Sequence, residues 1–195
     1  GKTMFAECMY RYAVSAKVLD ENAPFITFNC ADYAQNPQLL YGHIFGVKRG
    51  AFTGAEETRA GLMEQADGGI LFLDEIHRLP PEGQEMLFTF IDKGTFRSLG
   101  DGQEKQASVQ IIGATTETSS MFLSTFNRRI PMQIELPSLA ELSLDERLAI
   151  IKEFLQQEAN RLMQEIAIDK RSLLAFLLYN AEGNIGQLKR DLKLV

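Results

Sequence analysis

The stretch GGILFLDE, residues 68–75, decides which fold this 195-residue chain adopts. Two glycines break the preceding segment, an uninterrupted apolar run follows, and Asp74 and Glu75 end it. Such a run is typical of a strand buried on both faces, as in the middle of a parallel sheet. Carboxylates at the carboxyl end of such a strand lie where open α/β sheets bind ligands. The alternative is an ordinary strand end that turns acidic at the surface.

Strand and helix patterns alternate on both sides of this run. β-Branched and aromatic residues predict strands at 25–30, 95–99, 107–112 and 130–136, with a hairpin tip at 100–102. Apolar spacing and turn residues predict helices at 3–19, 37–43, 61–66 and 80–92. Later in the chain only helices are predicted, at 144–163, 170–179 and from 184 to the end. The pattern indicates an α/β domain, residues 1–137, and a small helical subdomain, residues 138–195.

Composition excludes several classes of protein. The formal net charge is −6, so gripping a nucleic-acid backbone is not expected of this segment, and DNA would be bound only through a separate domain. No apolar run is long enough to cross a membrane, so no membrane partner is expected. Cys8 and Cys30 lack metal-ligand spacing, and we expect reduced, buried thiols in a cytoplasmic protein.

The first three residues, Gly1, Lys2 and Thr3, match the end of the phosphate-binding pattern GxxxxGK[ST]. In that pattern the lysine contacts the β- and γ-phosphates of ATP, the hydroxyl ligates Mg²⁺, and the helix N-terminus adds its dipole. Taken alone, the match has a solvated N-terminal lysine as its alternative. Because the chain begins inside this motif, we expect a fragment that binds nucleotide poorly and is monomeric or dimeric.

The acidic pair favours nucleotide hydrolysis when it is considered together with this motif. A terminal aspartate on such a strand holds Mg²⁺, directly or through water, and we assign this role to Asp74. Glu75 is placed to orient and deprotonate the attacking water, as a general base does.

The hexapeptide GAFTGA places one aromatic residue among very small ones. Its residues are Gly50, Ala51, Phe52, Thr53, Gly54 and Ala55. The glycines let the chain turn back on itself, so Phe52 can project as an apolar anchor for a partner protein, with the Thr53 hydroxyl at the tip. The alternative is that Phe52 is tucked against the local core.

Four motifs together resemble a known family. GAFTGA is joined by FNCA at 28–31, EQADGGILFLDEI at 64–76 and IIGATTE at 111–117. With them the chain resembles the AAA+ ATPase domain of bacterial enhancer-binding proteins, which remodel RNA polymerase carrying sigma-54. GNIGQLKRDL at 183–192 is similar to the LevR-like subgroup. The resemblance implies an α/β fold with a parallel-sheet P-loop AAA+ core, an αβα sandwich, followed by a helical lid.

The resemblance also implies roles for matching residues. Asn29 would hold Glu75 in an inactive pose through its side-chain amide, with a strand-end cap as its alternative role. Thr115 or Thr116 stands where the family has a polar sensor near the γ-phosphate, typically asparagine. The hairpin at 94–109 matches a second inserted loop that moves together with GAFTGA.

Two arginines usually reach a neighbouring subunit's γ-phosphate in this family. When LPSL at 136–139 is matched to the family's LPPL, the first position falls on Phe122 and the second on Arg128, with Arg129 adjacent. An arginine supplied in trans stabilises charge on the transferred phosphoryl group. Arg128 and Arg129 are therefore candidate catalytic residues, and a solvated basic turn is the alternative.

The lid motif also departs from the family, because Gly186 replaces its nucleotide-binding arginine. Lys189 and Arg190 follow on the same helical face and are candidate substitutes, with a surface charge pair as the alternative. His43 and His77 are predicted to be structural.

The resemblance implies a motor that uses ATP and Mg²⁺. A homo-oligomer, expected to be a hexameric ring, would drive its GAFTGA loops against the sigma-54 RNA polymerase holoenzyme. A nucleotide-gated regulatory module with little or no turnover is the alternative, because one arginine and the lid arginine are missing. A general AAA+ loader or helicase motor is disfavoured by GAFTGA itself.

Overall fold

A computed structural model describes residues 1–117, 129–130 and 132–193. The chain divides into two compact units, one spanning Lys2–Gln133 and the other beginning at Ile134. In the described residues no helix combines the length and the apolar character needed to cross a bilayer.

A three-stranded parallel sheet forms the centre of the first unit. Its order is β1 (Phe25–Asn29), β2 (Ile70–Asp74) and β5 (Gln110–Gly113). The register pairs Asn29 with Asp74 and Leu73 with Gly113, so the carboxyl ends of the three strands meet at one edge. The first four residues of β2 are all buried. The predicted central strand is therefore formed, but it ends at Asp74, the first residue of the acidic pair, and Glu75 lies outside it.

Alternate residues of β2 pack against different layers of helices. Phe72 packs with Ala6 of α1 (Lys2–Ser15) and with Ala114 on one face. Leu71 and Leu73 belong to the main core on the other face. That core is built with α2 (Pro37–Phe45), α3 (Leu62–Gln65) and α4 (Pro81–Lys93). A strand covered on both faces needs apolar residues at successive positions, which explains the uninterrupted run.

The hairpin differs from the predicted one. β3 (Thr95–Phe96) pairs antiparallel with β4 (Lys105–Gln106), whereas the later part of the predicted second strand becomes β5 and joins the parallel sheet. The backbone N–H of Leu99 donates to Gly46, and its carbonyl accepts from Lys48. The prediction of paired strands at 95–99 and 107–112 was wrong because Leu99 bonds to the chain after α2.

The predicted strand at 130–136 is not formed by the residues described there, 130 and 132–136. The alternating Met132, Ile134 and Leu136 are exposed instead of buried. Proline stands at positions 131 and 137 and lacks the N–H that a sheet ladder needs. The apolar alternation therefore has no sheet partner in the part of the chain that the structure describes.

The second unit is helical, as predicted. It contains α5 (Leu144–Leu162), α6 (Lys170–Leu178) and α7 (Asn184–Leu192), each within a few residues of its predicted range. Ser143 and Glu146 form a capping box at the start of α5, and the Asp169 carboxylate caps α6. A separate apolar cluster, which includes Leu139, Ile151, Phe154, Leu188 and Leu192, forms its core.

Candidate functional site

The carboxyl edge of the sheet gathers several of the predicted site residues. Asn29 ends β1, Asp74 ends β2, and Ala114, Thr115 and Thr116 follow β5. The backbone continues the sheet there, because the N–H of Ala114 donates to Leu73 at 2.9 Å and its carbonyl accepts from Ile76 at 3.0 Å. Side chains alternate along a strand, so Asp74 lies on the same face as Phe72, the face that α1 covers.

Glu75 has an unusual backbone conformation. Its φ of 50° and ψ of 43° are left-handed, a region that a non-glycine residue occupies at a cost of about 1–3 kcal/mol. Its N–H donates to the Asp74 carboxylate at 3.0 Å, and its own carboxylate accepts from the Thr116 hydroxyl at 3.1 Å. The left-handed residue breaks the alternation of β2 and turns the chain into a short 3-10 helix, Ile76–Arg78. Asp74 and Glu75 are therefore held in different directions.

His77 is a residue that sequence reasoning assigned only a structural role. Its side chain is 2% exposed, and its Nδ1 lies 2.9 Å from the Thr115 hydroxyl. Its Nε2 lies 3.4 Å from the same Glu75 oxygen that Thr116 contacts. The sequence gives one indication that His77 lies near the site, because it follows the candidate general base by only two residues.

Asn29 does not make the predicted hydrogen bond to Glu75 in this structure. Its side-chain oxygen accepts from the N–H of Ala31 at 3.0 Å, and its amide donates to Asp32 at 3.3 Å. These contacts cap the 3-10 helix Cys30–Tyr33, which is the alternative role considered for Asn29. Burial and the nearby Asp74 charge raise the pKa of Cys30 to about 12, so this thiol stays protonated beside the edge. Cys8 is exposed, so the prediction of a buried thiol holds for Cys30 and was wrong for Cys8.

The N-terminal turn of α1 begins at Lys2, with Gly1 before it. Ala6, one turn later, packs on Phe72 and Ala114, which directs the start of α1 toward the carboxyl edge. The first N–H groups of a helix point outward and favour anions such as phosphate. Thr3 and Asp74 offer hydroxyl and carboxylate oxygens, the donor types that Mg²⁺ prefers. The residues present therefore fit a magnesium nucleotide.

The GAFTGA loop, Gly50–Ala55, is a closed turn. The N–H of Gly50 donates to Ala55 at 2.8 Å, and the N–H of Ala55 donates to Phe52 at 3.0 Å. Gly54 has a φ of 99° at the third position of this inner turn, where a type II turn requires a positive φ. Phe52 is half-buried and Thr53 is exposed, so the hydroxyl stands at the tip as predicted, with the ring partly covered.

The base of the GAFTGA loop is bonded to the loop that follows β3. Val47 forms bridges with both Arg59 and Leu99, and the Lys48 ammonium lies 3.4 Å from Asp101. A methyl group added at Gly100 would lie 2.6 Å from the Cβ of Ala51. The two loops therefore contact each other directly.

Arg129 is held within its own unit. Its Nε donates to both Asp92 oxygens, at 3.0 and 2.8 Å, and its guanidinium lies 5.1 Å from the centroid of the Phe88 ring. These contacts attach Arg129 to α4. Arg128 and Phe122, the other positions considered for the finger, lie outside the described residues.

Lys189 and Arg190 lie on α7 in the helical unit. The Lys189 ammonium is 5.3 Å from the Phe154 ring centroid and 3.5 Å from Gln157, while Arg190 lies 3.6 Å from Asp191 with its side chain 72% exposed. Their contact with nucleotide stays a prediction.

Asn184 in the GNIG motif has a structural role that the sequence did not indicate. It has a φ of 57°, and its side-chain oxygen accepts from the N–H of Leu139 at 2.7 Å. This bond joins the start of α7 to the segment before α5.

The chain is similar to known families and proteins. Residues 1–136 match the model of the sigma-54 interaction domain. The whole chain is 53% identical to transcriptional regulatory protein LevR of Bacillus subtilis, and 99% of it is 50% identical to transcriptional regulatory protein DagR of Salmonella typhimurium. The chain spans 21% of the length of each of these relatives.

Solved structures of NtrX from Brucella abortus share the fold. The complexes with ATP and with ADP give TM-scores of 0.74 and 0.75 at 23% identity, covering 88% of this chain and 38% of the NtrX chain. This likeness confirms the predicted α/β fold with its parallel sheet. The similarity to LevR and DagR confirms the predicted resemblance to LevR-like activators. The chain belongs to the family of sigma-54 interaction domains.

Proposed function

We propose that the protein is an ATP-hydrolysing transcriptional activator that remodels closed complexes of sigma-54 RNA polymerase through its GAFTGA loop. The observation that carries the proposal is the grouping of Asp74, Glu75 and Thr116 at the carboxyl edge of the sheet, in a chain of this family. NtrX structures with the same fold hold ATP and ADP, which supports a nucleotide site in this protein.

Residues on two elements would bind the nucleotide. Lys2 and the first turn of α1 would contact the phosphates, and Thr3 and Asp74 would hold Mg²⁺. The metal ion, when bound, supplies positive charge to the β- and γ-phosphate oxygens. A Cβ added at Gly1 would meet no atom of the described residues within 4 Å. A phosphate group would approach the start of α1 on this side.

Glu75 would act as the general base. A water oxygen attacks the γ-phosphorus, its proton passes to the Glu75 carboxylate, and the bond from the γ-phosphorus to the bridging oxygen of ADP breaks. The Thr116 hydroxyl, 3.1 Å from Glu75, would report the state of the carboxylate to the end of β5 as a sensor. Asn29 would join this switch only after leaving Asp32.

A continuous path joins this chemistry to the GAFTGA loop. Glu75 begins the 3-10 helix Ile76–Arg78, which leads into α4 and then β3. The residues after β3 are bonded to the base of the loop through Ser98, Leu99 and Asp101. We propose that a change in Glu75 is transmitted along this path and moves Phe52 and Thr53 against sigma-54.

The protein would work as a cytoplasmic homo-oligomer, a hexameric ring, without membrane contact and with DNA bound only through a separate domain. In the ring, Arg128 or Arg129 would reach the γ-phosphate of a neighbouring subunit. Arg129 must leave Asp92 to do so. An exposed pair of this kind is worth only about 0–1 kcal/mol, so assembly can break it.

The test is ATP hydrolysis by the full-length protein and its Glu75→Gln variant. Glutamine keeps the size of the side chain but cannot accept the proton, so we expect turnover to fall at least about 100-fold with ATP still bound. Glu85→Gln, on the exposed side of α4, is the matched control and should hydrolyse normally. Undiminished hydrolysis by Glu75→Gln would rule out this general base.

A nucleotide-gated module with little turnover is the second candidate. The observation that favours it is the attachment of Arg129 to Asp92 and Phe88, which keeps one candidate finger within its own unit. ATP binding without measurable turnover by the assembled full-length protein would support this candidate over the first.

A further inference from the structure

The buried His77 connects the end of β5 to the Glu75 carboxylate. His77 lies in the 3-10 helix that follows Glu75, with its side chain 2% exposed. One ring nitrogen, Nδ1, is 2.9 Å from the Thr115 hydroxyl. The other, Nε2, is buried and makes no hydrogen bond to any of the described residues. It lies 3.4 Å from Glu75 Oε2. The ring therefore spans the gap between a strand end and the candidate base.

The hydrogen bonds around Thr115 leave its hydroxyl proton free to be donated to His77. The Thr115 hydroxyl oxygen already accepts from the N–H of Glu117 at 3.0 Å, so its own proton is available for His77 Nδ1. If Nδ1 accepts that proton, the neutral ring carries its N–H at Nε2, facing Glu75. The opposite tautomer would bury a bare lone pair against a carboxylate oxygen, which is unfavourable. A neutral ring with its proton at Nε2 would present an N–H toward Glu75 Oε2, which lies 3.4 Å away.

Two consecutive residues after β5 lie on the same side of Glu75. Thr116 donates directly to Oε2, and the His77 ring, which contacts Thr115, lies 3.4 Å from the same oxygen. Asn29, on the other side of β2, contacts Asp32 instead. The left-handed backbone of Glu75 does not by itself fix where its carboxylate points. The neighbours of the carboxylate, Thr116 and His77, therefore decide its direction.

We propose that His77 is a positioning residue for ATP hydrolysis: through its Nε2–H, and with Thr115 fixing its tautomer, it orients the Glu75 carboxylate toward the attacking water. This inference rests on the proposed ATPase function. It gives this chain a second link between the end of β5 and the general base, beside the direct bond from Thr116.

The test compares two amide substitutions in the full-length protein. Glutamine in His77→Gln places an N–H near the position of Nε2, whereas asparagine in His77→Asn reaches only the position of Nδ1. ATP hydrolysis is measured over a range of ATP concentrations. We expect His77→Asn to lower kcat about 10- to 100-fold with KM changed less than about threefold, because a misdirected base slows chemistry without weakening binding. His77→Gln should retain at least about a third of the wild-type kcat.

Further variants separate positioning from folding. Thr115→Val removes the hydroxyl that sets the tautomer and should lower kcat about tenfold, again with little change in KM. His43→Asn is the matched control, because His43 is exposed and its ring packs on Tyr33. Thermal unfolding midpoints are measured for all variants, so that a loss of kcat is read only from folded protein.

The outcomes distinguish this inference from the proposed function. Wild-type kcat in His77→Asn, or equal losses in folded His77→Asn and His77→Gln, would overturn the positioning role and leave the ATPase proposal intact. Absence of hydrolysis by the wild-type protein would overturn the ATPase proposal, and the positioning role with it.

Discussion

Ser98→Ala is predicted to destabilise the first unit at the junction of its two loops. Ser98 is 95% buried, and its hydroxyl donates to the carbonyl of Phe45 at 2.9 Å. Phe45 is the last residue of α2 and is fully buried. The adjacent residue, Leu99, bonds to the backbone of Gly46 and Lys48. The hydroxyl therefore joins two segments that are 53 residues apart in sequence.

The size of the effect follows from the burial of the bond. Removing the donor leaves the Phe45 carbonyl without this partner in a place that water does not reach, which costs about 1–3 kcal/mol. At 1.4 kcal/mol for each factor of ten, the ratio of folded to unfolded protein falls by about 5- to 150-fold. The small change in volume adds little, because alanine lacks only the hydroxyl oxygen.

Ser15→Ala provides a matched control within the same chain. The Ser15 hydroxyl also donates to a backbone carbonyl, that of Tyr12 at 2.8 Å, but in an exposed position where water can replace it. We expect its free energy of unfolding to change by less than about 0.5 kcal/mol. The measurement is urea denaturation followed by circular dichroism, with the midpoint compared at an unchanged slope. Equal stabilities of Ser98→Ala and Ser15→Ala would refute the buried bond as a source of stability.

Three further predictions concern thiol chemistry, pH and the loop contact. In the native protein, Cys8 should be alkylated because it is exposed, and Cys30 should not, because burial raises the pKa of its thiol to about 12. Mass spectrometry of protein labelled with and without urea identifies the alkylated cysteine. Labelling of Cys30 without urea would contradict the prediction. Hydrogen bonds from the Ser172 hydroxyl and nearby N–H groups lower the pKa of Asp169. The stability that its carboxylate gives to α6 is therefore complete above its ordinary pKa and is lost as pH falls through the lowered pKa. Asp169→Asn should remove this loss of helicity at acid pH, as measured by a pH titration of circular dichroism. Gly100→Ala, at a φ of 72° and against the GAFTGA loop, should uncouple the two loops and reduce promoter opening more than ATP turnover; equal reductions would contradict this.

The elements with strong local signals were predictable from the sequence. The uninterrupted apolar run at 70–73 identifies the central strand, because burial on both faces demands apolar residues at successive positions. Ser143 and Asp169 mark the starts of α5 and α6, since their side chains cap free N–H groups. The carboxyl-edge location of Asp74 and Glu75 follows from the parallel topology alone.

The errors arose where distant contacts override local pattern. The segment at 95–99 has strand-forming residues, but Leu99 bonds to the chain after α2 and so leaves its hairpin. The alternation at 130–136 predicts a strand, yet no described strand pairs with this segment. His77 is predicted to be structural because the two histidines are too far apart to form a site, and nothing in the sequence indicates that Thr115, just after β5, lies beside it.

ATP-dependent opening of a sigma-54 promoter tests the role of the GAFTGA loop most directly. The full-length protein is added to closed complexes of sigma-54 RNA polymerase, and DNA melting is measured for the wild type and for Thr53→Ala. Thr53 is exposed at the tip of the loop and far in sequence from the candidate catalytic residues, so its loss should leave ATP hydrolysis in place. We predict that the wild type opens the promoter with ATP and that Thr53→Ala does not. No opening by the wild type, or full opening by Thr53→Ala, would contradict the proposed function.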